Sequence, residues 1–199
     1  LLRAFMAQAQ ASQPTLHIAN GGCDEYVGSG LPFLPWRALF QELATSSADS
    51  WLPTLALAAA DPSATLEDEA EARSHLTQDR LFTEIRTRLS TLAAQQPLLL
   101  ILEDLHWADT SSLRLLLYLS QHVETSPLLL LCTFRPEELA TNGEHDQHPL
   151  LRLMSESKRR FGQTLLDLNA LSEAARQQFI ADWLDQEPNQ LGADFRQAL

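Results

Sequence analysis

Cysteine is scarce in this sequence. Cys23 and Cys132 lie far apart and form no CxxC pattern, so nothing points to a zinc site or a disulfide framework, and buried or idle thiols in a reducing cytosol are the plain reading. Positive charge is scarce as well. The formal net charge is −12, and no Lys/Arg cluster rivals the acidic stretches. A nucleic-acid face needs concentrated positive charge to displace counterions, and a membrane surface attracts the same charge. This segment is therefore expected to bind neither directly. No apolar run is long enough to span a bilayer, and the leading stretch has no cleavable apolar core, so a cytoplasmic location is expected. A nucleophile elbow and a Rossmann fingerprint are missing too, because the Gly21 to Gly30 stretch does not open a helix.

What the chain does hold is enough apolar residue, 45% of it, to build the core of one α/β domain or of one domain and part of another. Leu1 to Ala11 favours helix, and Pro14 breaks the pattern. Thr15-Leu16-His17-Ile18-Ala19 reads as a short strand ending at Asn20-Gly21-Gly22. Cys23 to Pro35 reads as a loop and Trp36 to Leu43 as a helix. Ser46 to Glu71, with Pro53, Pro62 and the acidic Glu67-Asp68-Glu69, reads as a variable, mostly helical or looped insertion. From Thr77, a plausible N-cap with Asp79 in the first turn, the residues Leu81, Phe82, Ile85, Leu89 and Leu92 recur at helical spacing up to Gln95-Gln96-Pro97.

Leu98-Leu99-Leu100-Ile101-Leu102 is an unbroken apolar run, the mark of a strand buried on both faces of a parallel sheet. A helix is expected from Thr110 to Val123, a second buried strand over Leu128 to Cys132, and a polar loop from Glu137 to His148. Further on come a helix near Leu150 to Arg160, a strand over Thr164 to Leu168, and an amphipathic helix from Ser172 to Asp185 with Ala175, Phe179, Ile180, Trp183 and Leu184 inward. Alternation of this kind predicts an α/β fold, a parallel sheet covered by helices. No internal repeat is present. Both ends read as helix interiors, so the chain is taken as a segment of a longer protein.

In open α/β sheets, ligands sit beyond the carboxyl ends of the strands. That directs attention to Glu103-Asp104 and to Thr133-Phe134-Arg135. Of two carboxylates at a strand mouth, one suits a hydrated Mg²⁺ and the other can orient a water for attack on a terminal phosphate. An arginine ending the neighbouring strand could reach the same crevice and meet a γ-phosphate. Apolar strand plus two acids is the Walker B pattern. The longer string is far more specific: LLLILEDLHWAD over Leu98 to Asp109, then TSSLRLLL, with LLLLCTFRPEEL downstream.

On these residues the sequence resembles the AAA ATPase domain of origin-recognition-complex-like type. Such domains occur in the STAND-type bacterial signalling ATPases, among them LuxR-type transcription factors and proteins carrying cyclase or kinase modules. Gly30-Leu31-Pro32-Phe33-Leu34-Pro35-Trp36 resembles that family's segment after the second strand, and Leu171-Ser172-Glu173 the start of its small helical domain. The resemblance implies a P-loop NTPase-like core of the ASCE type over residues 1–168 and the beginning of a helical lid over 169–199. It implies ATP and Mg²⁺ as ligands, Glu103 as the Mg²⁺-side acid, Asp104 as the neighbouring acid that activates water, and Thr133 and Arg135 at the sensor-one position. Which of Glu103 and Asp104 meets the metal stays open.

One departure matters. No GxxxxGK[ST] occurs in the chain, so the first strand and the phosphate loop are expected to be missing, and the segment alone is expected to bind ATP poorly. The implied function is the ATPase module of a multidomain signalling or transcriptional regulator, switched by nucleotide state, with other domains of the same polypeptide as partners. Self-association is left open. The alternative is a non-hydrolysing nucleotide clamp or interaction scaffold.

Plainer roles stand beside these. Glu103 and Asp104 can be solvated loop acids, and Asp109 is best read as an N-cap. His106 suits local hydrogen bonding more than phosphate sensing, and Trp107 suits packing under the loop. Arg135 can pair with Glu137 or Glu138. Glu144, His145, Asp146 and His148 have a metal-like look that charged loops commonly share.

Overall fold

The computed structural model describes residues 1–24, 32–46, 67–122, 126–139, 148–162 and 165–186. The expectations for Gly28 to Leu31, for most of the 46–71 insertion, and for Glu144, His145 and Asp146 lie outside these residues.

Three parallel strands form one sheet in the order β1-β2-β3: β1 His17–Gly22, β2 Leu98–Glu103 and β3 Leu128–Cys132. Ala19 stands opposite Leu100, which stands opposite Leu130. The helices are α1 Leu2–Ser12, α2 Leu34–Ser46, α3 Glu67–Gln95, α4 Thr110–Ser120, the single turn α5 Pro136–Leu139, α6 Pro149–Phe161 and α7 Glu173–Gln186. The result is the expected P-loop NTPase-like α/β architecture, a parallel sheet covered by helices.

The apolar run 98–102 does what its composition requires. All five residues are buried. Leu98, Leu100 and Leu102 point to the main core with Trp36, Leu39, Phe40 and Leu43 of α2 and Leu81, Phe82, Ile85 and Leu89 of α3. Leu99 and Ile101 are buried on the other face, following the period of two along a strand. α2 packs on β1 and β2, while α4 packs on α2, α3 and α6. Gly162, at φ 79°, ends α6 after three basic residues that complement its C-terminal dipole.

Several expectations need correction. β1 runs through Asn20-Gly21-Gly22 instead of stopping there, because Gly21 serves the close approach of Pro35 rather than a turn. α3 starts at Glu67 and not at Thr77; the intervening residues contain neither Pro nor Gly to stop it. α4 ends at Ser120, short of Val123. A helical turn, α5, opens the expected loop.

β3 is an edge strand and not a buried one, with Leu129 55% exposed. Leu165 to Asp167 form no strand, and Leu166 is 75% exposed. An apolar run becomes a strand only with a neighbour to complete its ladder, and no described strand lies beyond β3. For the same reason Ala175 and Phe179 of α7 are exposed and not inward. The side chains of Ile180, Trp183 and Leu184 lie outside the described set.

Candidate functional site

The carboxyl ends of all three strands open on the same side, and the acidic pair stands at the mouth of the central one. Glu103 is the last residue of β2, half-buried. Its Oε1 accepts a hydrogen bond from Asn20 Nδ2 of β1 at 2.5 Å. The register explains the meeting. Glu103 is opposite Gly22, and Asn20 lies two residues earlier on the same face. The backbone N–H of Asn20 faces the outer edge of β1 and donates to Glu42 Oε2 of α2 at 2.6 Å. Asn20 Oδ1 is buried without a protein partner. The opposite amide orientation would set that oxygen against the Glu103 carboxylate, so the acceptor is left over by necessity. In the sequence alone, Asn20 reads only as a strand-ending residue.

Asp104 leaves the strand in the left-handed region, at φ 57° and ψ 45°, a conformation aspartate tolerates better than most residues. Its N–H donates to Thr133 Oγ1 at 3.1 Å. Thr133 continues the ladder on both sides: its N–H donates to Leu102 O at 3.0 Å and its carbonyl accepts from Leu105 N at 2.9 Å. Thr133 thus holds the turn in which Asp104 sits. Arg135, two residues on, is exposed, and its guanidinium carbon lies 6.0 Å from the Trp107 ring centroid. Its carbonyl accepts the N–H of Glu138 at 3.2 Å.

Leu105–Trp107 form one 3₁₀ turn after the acids. His106 lies in it, 6% exposed. Burial pushes its ring below the ordinary imidazole range, against the opposing charges of Asp104 and Glu138. Its Nδ1 accepts the N–H of Arg135 at 3.3 Å, so the proton of the neutral ring is on Nε2, which is buried and unpartnered. His148 caps α6, its Nδ1 accepting from Leu150 N, while its Nε2 hydrogen bonds to the His106 carbonyl at 3.2 Å. The local hydrogen-bonding role for His106 is the one found.

Asp109 caps α4 as expected, Oδ1 accepting from Ser112 N at 3.0 Å. It does more than that. Its Oδ2 accepts from Ser112 Oγ and from Phe33 N at 3.2 Å. Phe33 is at φ 62°, and with Asp104 it is the other positive-φ non-glycine residue among those described. The carboxylate therefore pins a strained backbone before α2 to the start of α4. Asp109→Ala is expected to lower stability by about 2 kcal/mol, the upper end for a lost cap, read as a fall in the urea midpoint. A loss no greater than the about 1 kcal/mol typical of a cap alone would mean the Phe33 tether carries nothing.

Cys23 follows β1, its N–H donating to Glu103 O at 3.0 Å. Burial, then the charges of Asp109 and Asp104, pushes its thiol up to about 12. Burial, then Cys23, does the same for Cys132, also to about 12. Both stay protonated, as structural thiols do.

The donor set at the strand mouth fits a hard cation only in part. Two carboxylates and the spare Asn20 oxygen are oxygen ligands of the right kind, but no cluster of three or more His, Cys, Asp or Glu residues is poised to hold a metal among the described residues. Magnesium commonly binds in this manner, through one or two carboxylates with waters and phosphate oxygens completing the shell. No helix among the described residues is long and apolar enough to cross a membrane.

A family model described as AAA ATPase domain matches residues 1–131. No curated protein and no solved structure matches the chain.

Proposed function

The chain belongs to the AAA ATPase domain family, and on that premise we propose that it supplies the metal- and water-handling half of an ATP-hydrolysing switch. The observation that carries the proposal is the acidic pair at the mouth of the central parallel strand, each acid held from a different neighbour: Glu103 by Asn20, and Asp104 by Thr133. Glu103 and Asp104 would hold a hydrated Mg²⁺, which when bound would supply charge neutralisation on the transferring phosphoryl group. Asp104 orients the attacking water, and Arg135 reports the terminal phosphate. Asn20 keeps the Glu103 carboxylate in place.

The triphosphate cradle comes from outside these residues, since no GxxxxGK[ST] is present. A strand preceding that loop, laid along the open edge of β3, would cover Leu129 and give 165–168 a neighbour to pair with. This accounts for the exposed leucines there. Residues 1–168 then form the core and 169–199 begin a helical lid. Nucleotide state would be passed to other domains of a signalling or transcriptional regulator.

The test is ATP turnover in a polypeptide carrying this chain together with its phosphate loop. Glu103→Gln and Asp104→Asn are each expected to lower turnover about a hundredfold while nucleotide binding persists. Unchanged turnover in a Glu103→Ala/Asp104→Ala double variant would sink the proposal. Tight ATP binding with no turnover in the unaltered protein would support a non-hydrolysing clamp instead.

A further inference from the structure

Arg135 is held at two points by two consecutive residues. Its amide N–H donates to His106 Nδ1 at 3.3 Å, and its guanidinium carbon lies 6.0 Å from the Trp107 ring centroid. The two rings are 4.4 Å apart, centroid to centroid. The His106 side of this seat is itself anchored, because its carbonyl accepts the His148 Nε2 hydrogen and its ring is buried. An exposed arginine has several free rotors, and a guanidinium resting on an indole face loses fewer of them when an anion arrives.

We propose that His106 and Trp107 are positioning residues that seat Arg135, one through its backbone and the other through its guanidinium, for contact with the terminal phosphate of a bound nucleotide. The proposal rests on the role given to Arg135 above. It also gives His106 and Trp107 a joint purpose that packing alone does not: the pair lies immediately after the two acids, and through Arg135 it ties the end of β3 to the end of β2.

The backbone half is tested on the full chain by amide exchange at Arg135. His106→Asn places an amide oxygen near the position of Nδ1, whereas His106→Gln reaches the Nε2 position and leaves Arg135 N–H without its acceptor. Protection at Arg135 is expected to persist in His106→Asn and to fall about fivefold in His106→Gln, the size of one ordinary hydrogen bond. Equal loss in both, or no loss in His106→Gln, overturns the backbone half.

The functional half is tested by the ratio of ATP to ADP affinity in a polypeptide that includes the phosphate loop. General loosening weakens both nucleotides alike and leaves the ratio unmoved. His106→Gln and Trp107→Leu are expected to lower the ratio in the same direction as Arg135→Ala, whereas His106→Asn and Trp107→Phe keep it. A ratio altered by Arg135→Ala but not by the seat variants overturns the seat and leaves the phosphate-reporting role standing. A ratio that Arg135→Ala itself leaves unchanged removes that role, and the seat's purpose with it.

Discussion

Gly21→Ala is expected to cost at least about 3 kcal/mol of stability, and in a chain of ordinary marginal stability to leave much of it unfolded at 37 °C. A Cβ at this position would lie 1.9 Å from the Pro35 carbonyl oxygen and 2.8 Å from its carbon. Both are backbone atoms, so no rotamer change relieves the overlap. The entry to α2 would have to move off β1. Trp36, Leu39, Phe40 and Leu43, all fully buried, would move with it. Gly22 supplies an internal control, because a Cβ there meets nothing within 4 Å. Gly22→Ala should change the denaturant midpoint little. Equal midpoints for the two alanine variants would mean that β1 and α2 do not approach as closely as described.

Trp36→Ala is the second large effect, expected at about 3–5 kcal/mol. The indole is fully buried, stacks obliquely on Phe40 with centroids 5.7 Å apart, and donates from Nε1 to the Ser112 carbonyl at 3.1 Å. Truncation removes the volume that joins α2 to the first turn of α4 and leaves a cavity that backbone on both sides prevents from closing. Trp36→Phe keeps most of that volume and loses the hydrogen bond, so a loss of about 1–2 kcal/mol is expected. Trp36 and Asp109 both fix the start of α4, through Ser112. Combining Trp36→Phe with Asp109→Ala should therefore depart from additivity by about 0.5 kcal/mol or more. Strict additivity in thermal or urea unfolding would show that the two contacts hold α4 independently.

Some of this was open to view along the chain. Five consecutive apolar residues before two acids have few stable settings besides the middle of a helix-covered sheet, and β2 is where that pattern placed it. Asp109 before Thr110-Ser111 announced a cap, and the cap is present. The Asn20–Glu103 contact was not visible. Its partners are 83 positions apart, and an asparagine before two glycines carries the same signal as a turn. The role of Gly21 is hidden for the same reason, since a glycine demanded by a neighbouring helix looks identical to one demanded by a bend.

The C-terminal part erred in the other direction. The apolar run at 164–168 and the amphipathic pattern of α7 show which side chains want cover. They do not show that cover is present, and Leu166 and Phe179 are exposed.

Local order up to β3, then, was decided largely by the sequence itself: where most helices and strands lie, which strand is central, and which residues end it. Backbone hydrogen bonding and the spacing of apolar side chains act over a few residues, and a linear pattern records them. Tertiary structure alone decided which groups meet. Asn20 reaches Glu103, Thr133 holds the Asp104 turn, Phe33 is pinned by Asp109, and Arg135 rests on His106 and Trp107, because strand register and helix approach bring together residues that no local signal connects.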